Sequence, residues 1–186
     1  MKRNKIKLFT LLVTILFAMN SFIVIGYLFP ATSGMEMNGT LKWTSETEEF
    51  VEETFGDCTT DLEKVNAFRE WIIENIRYTP YSMPLLQVVN VDKTIASKTG
   101  ICFEQASLFT IFCRIEGIEC YNVDGRLKNN FFVCHSWNRF CVNGQWYDID
   151  ITNDQTALTS NQPEFGFVEV DGKNAKDSVF NIYRIY

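Results

Sequence analysis

The sequence predicts an α+β protein in which helices come first and an antiparallel β-sheet follows. Up to about residue 117, apolar residues recur three and four positions apart, which is the spacing of amphipathic helices. From residue 118 onward the chain has short runs rich in β-branched and aromatic residues. Between two of these runs stands Asn143-Gly144, the strongest short signal for a β-hairpin. Helices followed by strands are typical of an α+β domain.

The first 34 residues are interpreted as a leader that precedes the domain. Four basic residues among the first seven are followed by an almost wholly apolar segment, 8–29. This pattern directs export, and the small residues at 31–33 would suit cleavage of a signal peptide. As a helix of about 33 Å the same segment could instead cross a bilayer as an uncleaved anchor. Both alternatives leave residues 35–186 outside the cytoplasm, either extracellular or membrane-anchored.

The predicted domain at 35–186 is acidic. Without the four basic residues of the leader, 13 Lys and Arg remain against 23 Asp and Glu, a net charge of about −10. Nucleic-acid binding needs a basic face for the phosphates, so this balance excludes nucleic acid as the expected partner. About 150 residues is the length of one ordinary domain.

Two capping boxes predict the first two helices of the domain. The sequence Ser-Glu-Thr-Glu at 45–48 has this form and predicts a short acidic helix to about Phe55. The sequence Thr-Asp-Leu-Glu at 60–63 repeats it. The apolar spacing behind this second box predicts an amphipathic helix to about Arg77.

Beyond the second helix, Pro80 and Pro84 interrupt the helical pattern. Residues 81–99 are therefore interpreted as a loop, long enough to be functional. A third helix is predicted to begin at or next to Cys102, to be central and buried, and to end at Gly117. Strands are then predicted at 118–124, 131–142 and 145–151, with two more near 165–170 and 180–185.

His135 is the only histidine in the chain, and histidine is the side chain best suited to proton transfer near neutral pH. If Asn143-Gly144 is a two-residue turn, Val142 pairs with Gln145 and Trp137 faces Asp150. His135 and Asp150 then become diagonal neighbours on one face, about 7–8 Å apart at Cα. The hairpin therefore predicts that Asp150 orients the His135 imidazole.

A second aspartate on the same strand, Asp148, lies on the same face. The register pairs Asp148 with Arg139. This places Asp148 about 6–7 Å further from His135 along the strand than Asp150 is. We therefore expect Asp148 and Arg139 to form a surface ion pair with no part in the chemistry.

Cys102 is the candidate nucleophile because it begins the predicted buried helix. A cysteine at a helix N-terminus lies at the positive end of the helix dipole, which favours a thiolate. The backbone amides at that end can also hold an oxyanion during acyl transfer. The alternatives for Cys102 are a buried apolar cysteine or one half of a disulfide.

The chain has six cysteines, and an oxidising compartment would allow disulfides among them. If one is a nucleophile, at least one of the other five has to be unpaired, and the pairing stays open. One histidine and the lack of any Cys-x-x-Cys make a metal site unexpected, and no cofactor is expected. The cysteines are Cys58, Cys102, Cys113, Cys120, Cys134 and Cys141.

Four motifs, taken in order, resemble the core of the transglutaminase-like superfamily. They are a Gly-x-Cys helix start at 100–106, a helix ending Arg-x-x-Gly-Ile at 114–118, a His-x-Trp strand at 135–138 and Trp-x-x-x-Asp-x-Thr at 146–152. Residues 71–78 also resemble the helix usually found before this core. The resemblance covers about residues 61–152.

This resemblance implies a papain-like fold, with the catalytic cysteine at the start of a central helix that packs on an antiparallel sheet. It implies a triad of Cys102, His135 and Asp150. The implied activity is cysteine-dependent acyl transfer on amide bonds of proteins or peptides, by hydrolysis or transamidation. The alternative is a catalytically silent binding or assembly module of the same fold at the cell surface.

Two positions depart from the family pattern. Ile151 replaces the common proline before the last threonine of the motif. Ala96 stands six residues before Cys102, where papain-like proteases place a glutamine that donates to the oxyanion. In transglutaminases an upstream aromatic residue serves instead, which makes Tyr78 and Tyr81 candidates.

Overall fold

The computed structural model of the chain describes residue 41 and residues 43–79, 90–164, 166–170 and 179–185. The predicted leader lies outside the described residues, as do Pro80, Tyr81 and Pro84. Within the described part, no helix combines the length and the apolar character needed to cross a bilayer.

The elements follow the predicted order, with helices before strands. The helices are α1 (Ser45–Phe55), α2 (Asp61–Asn75), α3 (Val91–Ser97), α4 (Cys102–Ile115) and α5 (Ile151–Thr159). The strands are β1 (Arg77–Tyr78), β2 (Thr99–Gly100), β3 (Cys120–Leu127), β4 (Asn130–Val142), β5 (Gln145–Ile149), β6 (Val168–Glu169) and β7 (Phe180–Ile185). This α+β arrangement confirms the predicted class.

The two capping predictions have different outcomes. Thr60 forms the predicted capping box with Glu63 at the start of α2. At α1 the prediction is wrong, because the residue before the helix is Thr44 and its side chain makes no cap hydrogen bond. The Thr44 hydroxyl instead donates to Asp92 at 3.0 Å, which ties α1 to α3.

The interpretation of 81–99 as a loop is wrong for its second half. Residues Val91–Ser97 form α3, which Asn90 caps by accepting a hydrogen bond from the Lys93 amide at 3.0 Å. A seven-residue helix is too short to show a helical repeat, so the sequence gives little periodic signal for it. Immediately after α3, β2 pairs in parallel with β1, so Tyr78 lies opposite Gly100. Residues 81–89 lie outside the described part.

Helix α4 is central and buried, as predicted. It begins at Cys102, and Gly117 follows its end with a positive φ of 74°. The Ile118 amide donates to the Cys113 carbonyl and the Gly117 amide donates to the Arg114 carbonyl, the two bonds of a Schellman motif. Around its buried Phe112, four aromatic rings lie with centroids 5.5–5.9 Å away: Phe50, Phe55, Phe68 and Trp71.

The sheet is antiparallel, with strands in the order β6-β5-β4-β3-β7. The predicted hairpin register is confirmed, because Val142 pairs with Gln145 and Asn138 pairs with Ile149. The prediction that this strand continues to residue 151 is wrong, since β5 ends at Ile149 and α5 begins at Ile151. Asp150 caps α5, accepting a hydrogen bond from the Asn153 amide at 3.0 Å.

Candidate active site

The start of α4 is built by a folded-back glutamate. The Glu104 carboxylate accepts a hydrogen bond from the Ile101 amide at 2.9 Å. A Cβ on Gly100 would lie 3.0 Å from the Glu104 Cβ, so the glycine leaves the space that this contact needs. The Gly-x-Cys-x-Glu sequence thus fixes where the helix begins, and it leaves Cys102 as the first helical residue.

Cys102 is only partly buried, as a nucleophile that meets a substrate has to be. The amides of the first helical turn have no carbonyl partner within the helix, and they project beyond its N-terminal end. Together with the helix dipole, they make this end favourable for an anion. The position suits both a thiolate and an oxyanion that forms beside it.

His135 and Asp150 are hydrogen-bonded, with 2.7 Å between the imidazole Nε2 and the carboxylate Oδ2. The Asp150 Oδ1 accepts the α5 capping bond from Asn153, so both carboxylate oxygens are held. Asp150 is buried and the His135 side chain is 14% exposed. The predicted pairing of these two residues is confirmed as geometry, whereas their catalytic role stays a prediction.

The imidazole of His135 is held in its protonated form. Burial alone would lower the pKa of His135, but hydrogen bonds with Asp150 and with Cys102 outweigh it and raise the pKa to about 9. Because Asp150 occupies Nε2, the nitrogen left for the Cys102 thiol is Nδ1. The structure therefore brings the three predicted residues together.

Tyr78 lies within electrostatic range of Cys102. The β1–β2 pair carries it there, with the Thr79 amide donating to the Gly100 carbonyl at 3.1 Å. Burial and the charge of Cys102 raise the pKa of the Tyr78 phenol, so the hydroxyl keeps its proton and can donate it in a hydrogen bond. The other candidate, Tyr81, lies outside the described residues, and Ala96 is exposed on α3.

The expectation of a surface ion pair between Asp148 and Arg139 is wrong in one respect. The pair exists, with Arg139 Nε to Oδ1 at 2.7 Å and a second bond to Oδ2 at 3.0 Å. Asp148 is only 2% exposed, however, because β6 pairs with β5 on its outer side and Val168 faces Asp148. It is therefore a buried, two-pronged ion pair.

A buried amide network, which the sequence reasoning missed, joins α4 to α5 behind the site. Gln105 accepts a hydrogen bond from the Thr152 hydroxyl at 2.7 Å and donates to the Ile76 carbonyl at 3.1 Å. Gln155 donates to the same carbonyl at 2.8 Å. These bonds fix the segment that carries Asp150 relative to the helix that carries Cys102. The signal was a glutamine within an otherwise apolar helix face, which needs a buried partner.

The cysteines other than Cys102 do not line this site. All six are free thiols in this structure, and Cys134 is the exposed one. Cys113 and Cys120 contact each other in the core, where burial raises the pKa of the Cys113 thiol. Over the described ranges, no three His, Cys, Asp or Glu side chains are arranged as metal ligands.

Comparisons with known proteins give a family match and a similar fold. The sequence model of the transglutaminase-like superfamily matches residues 48–151. Kyphoscoliosis peptidase of Homo sapiens is 27% identical over 121 residues, and that of Mus musculus is 24% identical over 131 residues. These matches cover 56% and 64% of this chain, but the chain spans only 18% and 20% of those relatives.

A solved structure assigned to a cysteine protease of Cytophaga hutchinsonii has a similar fold. Its TM-score is 0.52 at 22% identity, and the match covers 78% of this chain and 50% of that one. The fold that the four motifs imply, helices with an antiparallel curled sheet, is confirmed by this match.

Proposed function

Because the chain belongs to the transglutaminase-like superfamily, we propose that it is a cysteine-dependent acyl-transfer enzyme acting on amide bonds of proteins or peptides. The observation that carries the proposal is the 2.7 Å bond between His135 and Asp150, formed beside a cysteine at a helix start. The names of the similar proteins, a peptidase and a cysteine protease, support the same class of enzyme.

The first step is attack by sulfur. His135 takes the thiol proton, and Cys102 attacks as the thiolate, which is the nucleophilic form of cysteine. Its electron pair forms a C–S bond with the amide carbon, and the carbonyl π electrons move onto oxygen. That oxyanion receives hydrogen bonds from the first-turn amides of α4 and from the Tyr78 hydroxyl.

The second step expels the amine. The oxyanion electrons re-form the carbonyl as the C–N bond breaks, and the Nδ1 proton of His135 moves to the leaving nitrogen. Asp150 keeps the ring in the tautomer and orientation that this transfer needs. Water or an amine then attacks the thioester carbon while His135 takes the proton of the attacking group. The C–S bond breaks, and the Cys102 thiolate leaves as the product is released.

We also propose that the apolar leader takes the domain out of the cytoplasm, as a signal peptide or as a membrane anchor. The basic residues ahead of the apolar segment 8–29 support this location. Cell fractionation with mass spectrometry of the mature N-terminus tests it. Recovery of the full chain from the cytosol would contradict it.

The enzymatic proposal is tested with a glutamine-containing peptide and a labelled primary amine. Mass spectrometry distinguishes the amine adduct, the deamidated peptide and the cleaved peptide. We expect at least one of these products, and we expect none from Cys102→Ala. Cys134→Ala is the matched control, because this exposed thiol precedes His135 on β4 but its side chain alternates to the opposite face, so the variant should retain full activity.

Products that persist in Cys102→Ala would show that this cysteine is not the nucleophile. A folded wild-type protein that forms no product from a broad peptide library, and whose Cys102 is unreactive, would favour the silent binding module instead.

A further inference from the structure

Two aromatic rings lie beside the His135 imidazole, nearly parallel to it. The Phe180 ring lies with its centroid 5.7 Å from that of His135, and the planes are 28° apart. The Trp137 ring lies at 6.3 Å with an angle of 22°. Phe180 and Trp137 also contact each other at 5.4 Å, so the three rings form one cluster.

Phe180 comes from the C-terminal strand, outside the residues 48–151 that match the family. It is the first residue of β7 and pairs with Leu127 of β3. Just beyond that pair, the Lys128 amide donates to the Val179 carbonyl at 3.0 Å. Backbone bonds on both sides thus fix the ring where the chain returns to the sheet.

Gly125 leaves the space for this cluster. It lies opposite His135 in the β3–β4 ladder. A Cβ at this position would lie 2.8 Å from the Trp137 ring and 3.0 Å from the Phe180 Cβ, and both distances are too short for a relaxed contact. The sequence therefore keeps the smallest residue where the two rings converge on the histidine.

We propose that Phe180, packed against Trp137, is a positioning residue that stabilises the imidazolium form of His135. The negative face of an aromatic ring attracts a cation, and the attraction grows where water is excluded. The inference deepens the proposed function, because it concerns the residue proposed as general base. It assigns a role to β7, which lies outside the matched residues 48–151.

The charged side chains next to Gly125 on β3 do not face the His135 imidazole. Asp150 and Cys102 are the ionisable groups that act on the imidazole. On β3, the neighbours of Gly125 are Asp124 and Arg126, whose side chains alternate to the opposite face from that position. Asp124 accepts a hydrogen bond there from the Ser136 hydroxyl at 2.6 Å.

The test uses the fact that His135 is the sole histidine. In protein without a histidine tag, the imidazole proton resonances in an NMR titration report its pKa directly, with no substrate. We expect Phe180→Leu to lower the midpoint by about 0.5–1 pH unit, the equivalent of a partly buried cation–π contact. Phe180→Tyr keeps the ring and should titrate close to wild type.

Phe167→Leu is the matched control. Phe167 is half-buried like Phe180 and packs edge-on against Phe140 with centroids 5.1 Å apart, but it does not contact His135. The Phe167→Leu variant should have a lower melting temperature but an unchanged midpoint in the His135 titration. If Phe180→Leu does not fold, replacing Phe180 by pentafluorophenylalanine keeps the shape and weakens the attraction for a cation, so the midpoint should still fall.

An unchanged midpoint in folded Phe180→Leu, or an equal fall in Phe167→Leu, would overturn the inference. Because the titration needs no turnover, it is independent of whether the proposed enzymatic activity is found. Where activity is measured, we expect Phe180→Leu to move the alkaline limb of kcat to lower pH and to leave KM largely unchanged.

Discussion

Two aspartates near the C-terminal end of β5 each face a basic side chain, but in different settings. Asp148 lies within the β4–β5 ladder, where it pairs with Arg139 and is almost fully buried. Asp150 lies just past the last ladder pair, where the chain turns into α5. The Asp148–Arg139 pair is part of the sheet, whereas the Asp150–His135 pair lies at the site that contains Cys102.

The chemistry of the two partners follows this difference. Arginine stays protonated at all ordinary pH values, so Asp148 and Arg139 can only hold the hairpin together. Histidine exchanges its proton, so Asp150 controls a group that can act on a substrate. Although the two aspartates are only two residues apart, substituting Asp150 should lower the catalytic rate, whereas substituting Asp148 should lower stability.

The largest expected effect is that of Asp150→Asn on turnover. Loss of the carboxylate frees the imidazole to take the wrong tautomer, which in a comparable triad lowers kcat by about 10⁴. Asparagine is as good a helix cap as aspartate, so α5 and the fold should be retained. Steady-state kinetics with far-UV circular dichroism checks both points, and a near-normal kcat in folded protein would exclude Asp150 as the orienting acid.

A smaller loss is expected for Tyr78→Phe. Removing one donor from an oxyanion site lowers kcat by about 10² to 10³. Since the amides at the start of α4 remain, the loss should be well below that of Asp150→Asn. Equal kcat values for wild type and Tyr78→Phe would mean that the hydroxyl does not contact the oxyanion.

The pH dependence of stability and activity should report on the His135–Asp150 pair and not on the Arg139–Asp148 pair. The pKa of His135 is raised from 6.5 to about 9, so its contribution to stability is fully present below pH 6.5 and is lost as the pH rises through about 9. Neutral His135 cannot protonate the leaving amine, so activity should fall over the same range. Urea unfolding and kcat/KM across this range test the prediction.

In Asp150→Asn the imidazole loses its main partner, so both transitions should shift to lower pH. Alkaline transitions at the same pH in wild type and in this variant would contradict the assignment to His135.

The smallest effect on rate is expected for Asp148→Asn. It leaves the site untouched, so kcat should stay within about twofold of wild type, as expected when only a supporting pair is changed. Because Asp148 is buried but the Arg139 side chain is 18% exposed, removing the carboxylate charge should cost at most about 3 kcal/mol of stability, the lower limit for a fully buried pair. Denaturant unfolding measures this cost, and a kcat as low as that of Asp150→Asn would contradict the different roles given to the two aspartates.

Local signals in the sequence account for the parts that could be predicted. The Asn143-Gly144 turn fixes the register of β4 and β5, and Gly117 marks the end of α4. From these signals, the position of Cys102 at a helix start and the contact of His135 with Asp150 could be derived before the structure was known.

What could not be predicted depends on contacts between distant segments. The burial of Asp148 requires β6 to pair along β5, and no local pattern specifies this pairing. The packing of Phe180 on His135 joins residues 45 positions apart through β7. Helices α3 and α5 are short, and each begins where the sequence pattern predicted another structure.

The most direct test of the catalytic unit is the alkylation rate of each cysteine with iodoacetamide, followed by mass spectrometry near neutral pH. We expect Cys102 to react at least about tenfold faster than Cys134, the exposed thiol with no histidine partner. His135→Ala should slow alkylation of Cys102 and leave that of Cys134 unchanged. If Cys102 reacts no faster than Cys134, or equally fast without His135, then Cys102, His135 and Asp150 do not act as one catalytic unit.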